Sequence, residues 1–186
     1  MRWIVLVLLI WLVVLVQTTL GRLATIEVAG VGTVGPDLLA GLAVFVALYA
    51  RRATDAMIAA AAMGFALDLS TAGAGGSLTV VGPMAIAYAA AARGVFAVRE
   101  AFFRDRLSTR AVLTLALCLV AHGLWVTMQA VLARGAASWG EYVRMLAEAG
   151  LISLYSALVA TATLSLFARL GDWLLVAPPT RARRTR

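Results

Sequence analysis

Apolar residues run along this chain in blocks too long for a soluble fold. A helix crossing roughly 30 Å of hydrocarbon needs about 20 mainly apolar residues. On that scale six segments qualify, at 3–20, 35–50, 54–70, 77–98, 109–133 and 147–170. The third is rich in alanine and weakly hydrophobic, and the fourth is interrupted by Pro83 and Arg93. Both have the composition of helices packed against protein rather than lipid. The connections are too short to hold a soluble domain, and the sequence shows no internal repeat. The pattern predicts an all-α polytopic membrane protein: one six-helix domain over 1–176, then a basic, disordered tail over 177–186.

The opening segment also has the outline of a signal peptide, with Arg2 ahead of a continuous apolar run from Trp3 to Val16. No small-x-small cleavage site follows, and Gln17-Thr18-Thr19 reads as the end of an uncleaved first span. This span has no alanine between Trp3 and Leu20, only bulky residues suited to lipid or to another membrane protein. By contrast the third and fourth spans are crowded with small residues, at 59–62, Gly64, Ala85, Ala87 and 89–92, which let helix backbones approach closely.

Charge placement gives an orientation. The chain has 16 basic residues, all arginine, and a net charge of +7. With the N-terminus inside, thirteen arginines fall on the cytoplasmic side, and only Arg22, Arg134 and Arg144 fall outside. That is the positive-inside asymmetry, and it agrees with an even number of spans and two cytoplasmic termini. Attraction to anionic lipid accounts for the positive charge. No basic stripe with interleaved aromatics accompanies it, so nucleic acid is not an expected partner. Trp3, Trp139 and Trp173 lie near span ends, at headgroup level.

Composition says little about chemistry. Apolar residues make up 63% of the chain and charged ones 13%, against about 45–50% and 25% in soluble domains. One cysteine, Cys118, and one histidine, His122, exclude an intramolecular disulfide and any site needing two histidines. Letters 30–35 match a dinucleotide fingerprint, but the mechanism needs a strand–turn–helix unit, and here the match falls in an external loop. No zinc motif or nucleophile elbow occurs. His122 beside Ser153 or Ser156 is too thin a basis for a protease. We expect no enzymatic activity, cofactor or metal.

Four polar positions stand out. Pro36-Asp37 opens the second span, where proline suits the first turn and aspartate can cap orphan N–H groups; a partner contact is the alternative role. Asp68, after Gly64-Phe65 near the external end of the third span, could bond the glycine-rich turn at 73–76 that includes Gly76, or meet a partner or substrate. A carboxylate at that depth costs on the order of 1–3 kcal/mol unless paired or near water. His122 shares a helical face with Trp125 and Gln129. With no second titratable group expected at its depth, the stripe reads as interhelical packing more readily than as a proton or substrate path.

Taken together, Gly35-Pro36-Asp37-Leu38-Leu39, the span ending at Arg51-Arg52, Gly64-Phe65 leading to Asp68-Leu69, and the turn at 73–76 resemble the rod-shape-determining protein MreD family over about residues 35–100. The Ala-rich third and fourth spans and the arginine-rich tail depart from that pattern. The resemblance implies a non-enzymatic scaffold in the bacterial cytoplasmic membrane, within the cell-wall elongation machinery. It would associate with MreC, and through it with MreB, RodA and a class B penicillin-binding protein. Pro36, Asp37, Gly64, Asp68, Gly76 and His122 become structural or partner-contact candidates. A second resemblance is to the S component of an energy-coupling-factor vitamin transporter, which has six helices, similar size and a related fold. S components dock through an Ala-x-x-x-Ala pattern on the first span, and this chain has none there.

Overall fold

The computed structural model describes residues 3–19, 21–30, 32–71, 80–100, 107–132 and 139–174. Gly76, the turn at 73–76 and the tail at 177–186 lie outside them. Six α-helices occur among the described residues: α1 (Trp3–Thr19), α2 (Leu38–Tyr49), α3 (Ala53–Thr71), α4 (Pro83–Val98), α5 (Leu107–Leu132) and α6 (Trp139–Leu174). The sequence between α1 and α2 holds a short 3-10 turn, Gly21–Ala24, and a hairpin of β1 (Ile26–Val28) and β2 (Gly32–Val34). Windows in α3, α5 and α6 are each long and apolar enough to cross a membrane. The chain is a helical membrane protein.

Helix α2 is the axis of the fold. It packs against all five other helices, while α1, α3, α4, α5 and α6 adjoin one another in that order around it. Its residues from Leu39 to Leu48 are all buried, as expected for a helix apolar on every side. At 12 residues it is shorter than the expected 35–50 segment. The reason lies in its ends: Pro36 and Asp37 form an extended entry, and Ala50 turns out of the helix at φ −61°, ψ 143°. Arg99 donates to the Ala50 carbonyl, and Arg110 donates to the Tyr49 hydroxyl at 3.3 Å. Cations thus gather where the helix dipole is negative.

The small residues are spent between α3 and α4. Ala56, Ala59 and Ala60 are buried on one helix, and Ala87, Ala91 and Ala92 on the other. Gly64 marks the closest approach: a Cβ there would sit 2.9 Å from the Ala85 Cα and inside contact distance of the Met84 carbonyl. Pro83 does not interrupt the fourth span but begins it, at the first helical turn. Arg93 is exposed on the outside of α4.

Two segments depart from the hydropathy reading. Residues 26–34 pair as an antiparallel hairpin with Glu27 opposite Thr33, and Gly30 at φ 82° supplies its left-handed turn residue. The fingerprint-like glycines therefore belong to a hairpin. Helix α6 begins at Trp139, ahead of the expected 147, and runs 36 residues, about 54 Å at 1.5 Å per residue. Glu141, Arg144 and Glu148 lower its mean hydropathy, yet Met145, Ala149 and Ile152 recur at helical spacing on an inward face.

Gly64→Ala should lower unfolding stability by about 1–3 kcal/mol. Gly94→Ala, where added bulk meets nothing within 4 Å, should not. Thermal unfolding of both variants in the same detergent checks this.

Candidate functional site

The polar residues singled out in the sequence gather at the hairpin end of the bundle, and Asp37 stands at their centre. It is 4% exposed. One carboxylate oxygen, Oδ1, caps α2 by accepting from the N–H groups of Leu39 (3.1 Å) and Ala40 (3.3 Å). The other, Oδ2, accepts from the Tyr88 hydroxyl of α4 and lies 3.7 Å from His122 Nε2 on α5. The Asp37 N–H donates to Ser156 Oγ on α6 at 2.8 Å, and the next N–H, of Leu38, donates to Gln17 on α1 at 3.2 Å. Four helices meet at this one residue, and a fifth, α1, bonds its neighbour Leu38.

His122 thus has a titratable neighbour at its own depth, contrary to the sequence expectation. Pairing between residues so distant along the chain leaves no local signal. Its Nδ1 lies 3.0 Å from the Cys118 carbonyl one turn earlier. A carbonyl only accepts, so Nδ1 carries a proton and Nε2 faces Asp37. Ser153 and Ser156 both donate to carbonyls one turn back on α6, at 2.6 Å each.

Asp68 performs a similar task for α4. The N-cap of that helix is Gly82, which has no side chain to cap it. Asp68 reaches from the end of α3, and its Oδ2 accepts from the N–H groups of Gly82 (2.7 Å) and Met84 (3.1 Å). The antiparallel course of α3 and α4 brings the end of one to the start of the other, where orphan N–H groups have a strong claim on a carboxylate; the turn at 73–76 lies outside the described residues. Gln129 ties the same region, accepting from the Val80 N–H and donating to its carbonyl at 3.0 Å.

Between these two capped helix starts lies a cavity of about 560 Å³. Asp37, Asp68, His122 and Trp125 line it from the helices named above, Gln17 from α1 and Glu148 from α6; Thr25 and Thr33 beside the hairpin complete the wall. Tyr155 on α6 donates to the Ala24 carbonyl at 2.9 Å, fixing the hairpin segment over this end. The Trp125 indole N–H is buried and has no acceptor among the described residues.

No family model, curated protein or solved structure matches this chain. Its reading therefore rests on the geometry of the site. Pro36, Asp37, Asp68 and His122 all line the cavity, whereas Gly64 lies below it in the α3–α4 contact. The sequence does not single out Tyr88, and it offers Ser156 only as a nucleophile beside His122, not as a partner of Asp37; both are ordinary residues on apolar helices, and their bonds to Asp37 distinguish them. The described residues include no group of three or more metal-ligating side chains.

Asp68→Ala should destabilise the fold by about 1–2 kcal/mol, because it leaves the first N–H groups of α4 uncapped. Asp68→Asn keeps one acceptor oxygen and should cost less. Denaturant unfolding of both variants, followed by helical circular dichroism, measures the difference.

Proposed function

We propose that this chain is a non-enzymatic membrane scaffold of the MreD kind in the bacterial cytoplasmic membrane. All six helices lie across the bilayer, with both termini on the cytoplasmic side. Within the cell-wall elongation machinery it holds MreC directly, and MreB, RodA and a class B penicillin-binding protein through that complex. The observation that carries this reading is convergence. The residues that carry the resemblance, the adjacent pair Pro36-Asp37 and the distant Asp68, meet around one cavity, with Gly64 in the helix contact beneath it. Such convergence supports reading these residues as parts of one folded unit.

Arginine placement supports the orientation. Arg51, Arg52, Arg99 and Arg110 lie at the end of α2 opposite the cavity, where the positive-inside rule puts the cytoplasm. The cavity then opens toward the outer face. Helix α1 supplies a surface for a single-span partner: Ile4, Val7, Leu8 and Trp11 are each at least 60% exposed and face away from the bundle. In lipid such a face gains nothing from apolarity alone, so association there depends on shape and close packing.

The cavity itself favours the second reading, an S component that captures a vitamin, because its volume and convergent polar groups suit a small ligand. The missing alanine pattern on α1 weighs against docking of that sort.

The two readings separate cleanly. A tagged copy should recover MreC from solubilised membranes, and depletion should turn rods into spheres. A copurifying vitamin, with normal cell shape and a gene neighbourhood of paired ATPases, would contradict the scaffold reading.

A further inference from the structure

The cavity at the hairpin end is larger than helix packing requires, and its volume of about 560 Å³ lies inside the range of roughly 300–1,000 Å³ typical of small-ligand sites. Its charge is one-sided. Among the described residues, three carboxylates line it, from Asp37, Asp68 and Glu148, together with the His122 imidazole, and no arginine does.

These carboxylates are not equivalent. Asp37 and Asp68 hold the starts of α2 and α4 through backbone N–H groups. Glu148 receives no hydrogen bond from any described residue. Arg144, one turn earlier on α6, is exposed and does not line the cavity. A half-buried carboxylate next to an apolar wall is unfavourable unless a cation or donor joins it. On α5 the wall also carries Trp125, and an indole face attracts cations. Met145, Val126 and Ile152 supply an apolar floor.

We infer that this cavity binds an organic ammonium group on an apolar body, with Glu148 and the Trp125 face taking the charge. An anionic ligand would meet three carboxylates and no arginine among the described residues. A neutral apolar one would leave Glu148 with only the charge of exposed Arg144, one turn earlier on α6. A primary ammonium offers three donors in a compact charge, enough for Glu148 and the oxygens of Gln17 or Thr33. Two sources carry that chemistry at a membrane surface: a free small amine, and the ethanolamine head group of a phospholipid. The inference does not depend on the scaffold assignment, and its failure would leave recovery of MreC unaffected.

The test uses the full chain in nanodiscs of phosphatidylglycerol, a lipid with no amine. 2-Phenylethylamine should raise the unfolding temperature saturably, while 2-phenylethanol and 3-phenylpropionate should not. Glu148→Gln should weaken amine binding about tenfold, the value of one charge-assisted hydrogen bond. Trp125→Leu should also weaken it, and Glu100→Gln, exposed and outside the cavity lining, should leave it unchanged. Native mass spectrometry after reconstitution with phosphatidylethanolamine separates the sources. Retention by the wild type and loss in Glu148→Gln assigns the site to the lipid; amine binding without lipid retention assigns it to a free amine. The inference is overturned by equal stabilisation from all three compounds. Wild-type amine affinity in Glu148→Gln would overturn it too, as would absence of both amine binding and lipid retention.

Discussion

The buried carboxylate of Asp37 is the interaction on which the rest of this structure depends. In water a bundle is gathered by the hydrophobic effect, and polar contacts only refine it. In a bilayer the tails are as apolar as leucine, so helices gain nothing from apolarity alone; close packing and polar contacts must select the arrangement. An isolated carboxylate in that setting is costly by several kcal/mol. Asp37 offsets the cost by serving several helices at once: the backbone of α2, Tyr88 of α4 and His122 of α5 at its side chain, with Ser156 of α6 at its own N–H. Each partner occupies a fixed height on its helix. The node therefore sets the axial register of the helices relative to α2.

Asp68 repeats the device between α3 and α4, and the two nodes together explain the cavity. Both carboxylates cap helix starts at the same end of the bundle. There the α3–α4 pair is drawn tight by Gly64 and its neighbouring alanines, while α5 and α6 are held by Asp37 at the level of His122 and Ser156. What stays open between the two groups is bounded by polar side chains and roofed by the hairpin, which Tyr155 anchors. A space defined by capping residues cannot easily close without uncapping a helix. Structural and binding roles are consequently hard to separate at Asp37 and Asp68, and easier to separate at Glu148 and Trp125.

Much of this was legible along the chain, and the parts that were not share a cause. The membrane class, the α2 start at Pro36-Asp37 and the close-packing composition of α3 and α4 are local properties, fixed by hydropathy and by short-range capping chemistry. The partners of Asp37 and Asp68 are not local. His122 shows no titratable neighbour in the sequence because Asp37 comes from another part of the chain, and the α4 start that Asp68 caps lies 14 residues further along. The early start of α6 was hidden by Glu141, Arg144 and Glu148, which lower mean hydropathy while leaving the helical period intact. The hairpin at 26–34 was hidden by glycines whose spacing imitates a nucleotide-binding loop.

A double-mutant cycle across Asp37 and Tyr88 tests the central claim most directly. Asp37→Asn, Tyr88→Phe and the double variant would be unfolded under one set of conditions and their stabilities compared. If the carboxylate is the node that joins α2 to α4, the two substitutions should be non-additive by about 1 kcal/mol or more, above the roughly 0.6 kcal/mol average for interhelical hydrogen bonds in membranes. Additivity within about 0.3 kcal/mol would mean that Asp37 caps its own helix and nothing further.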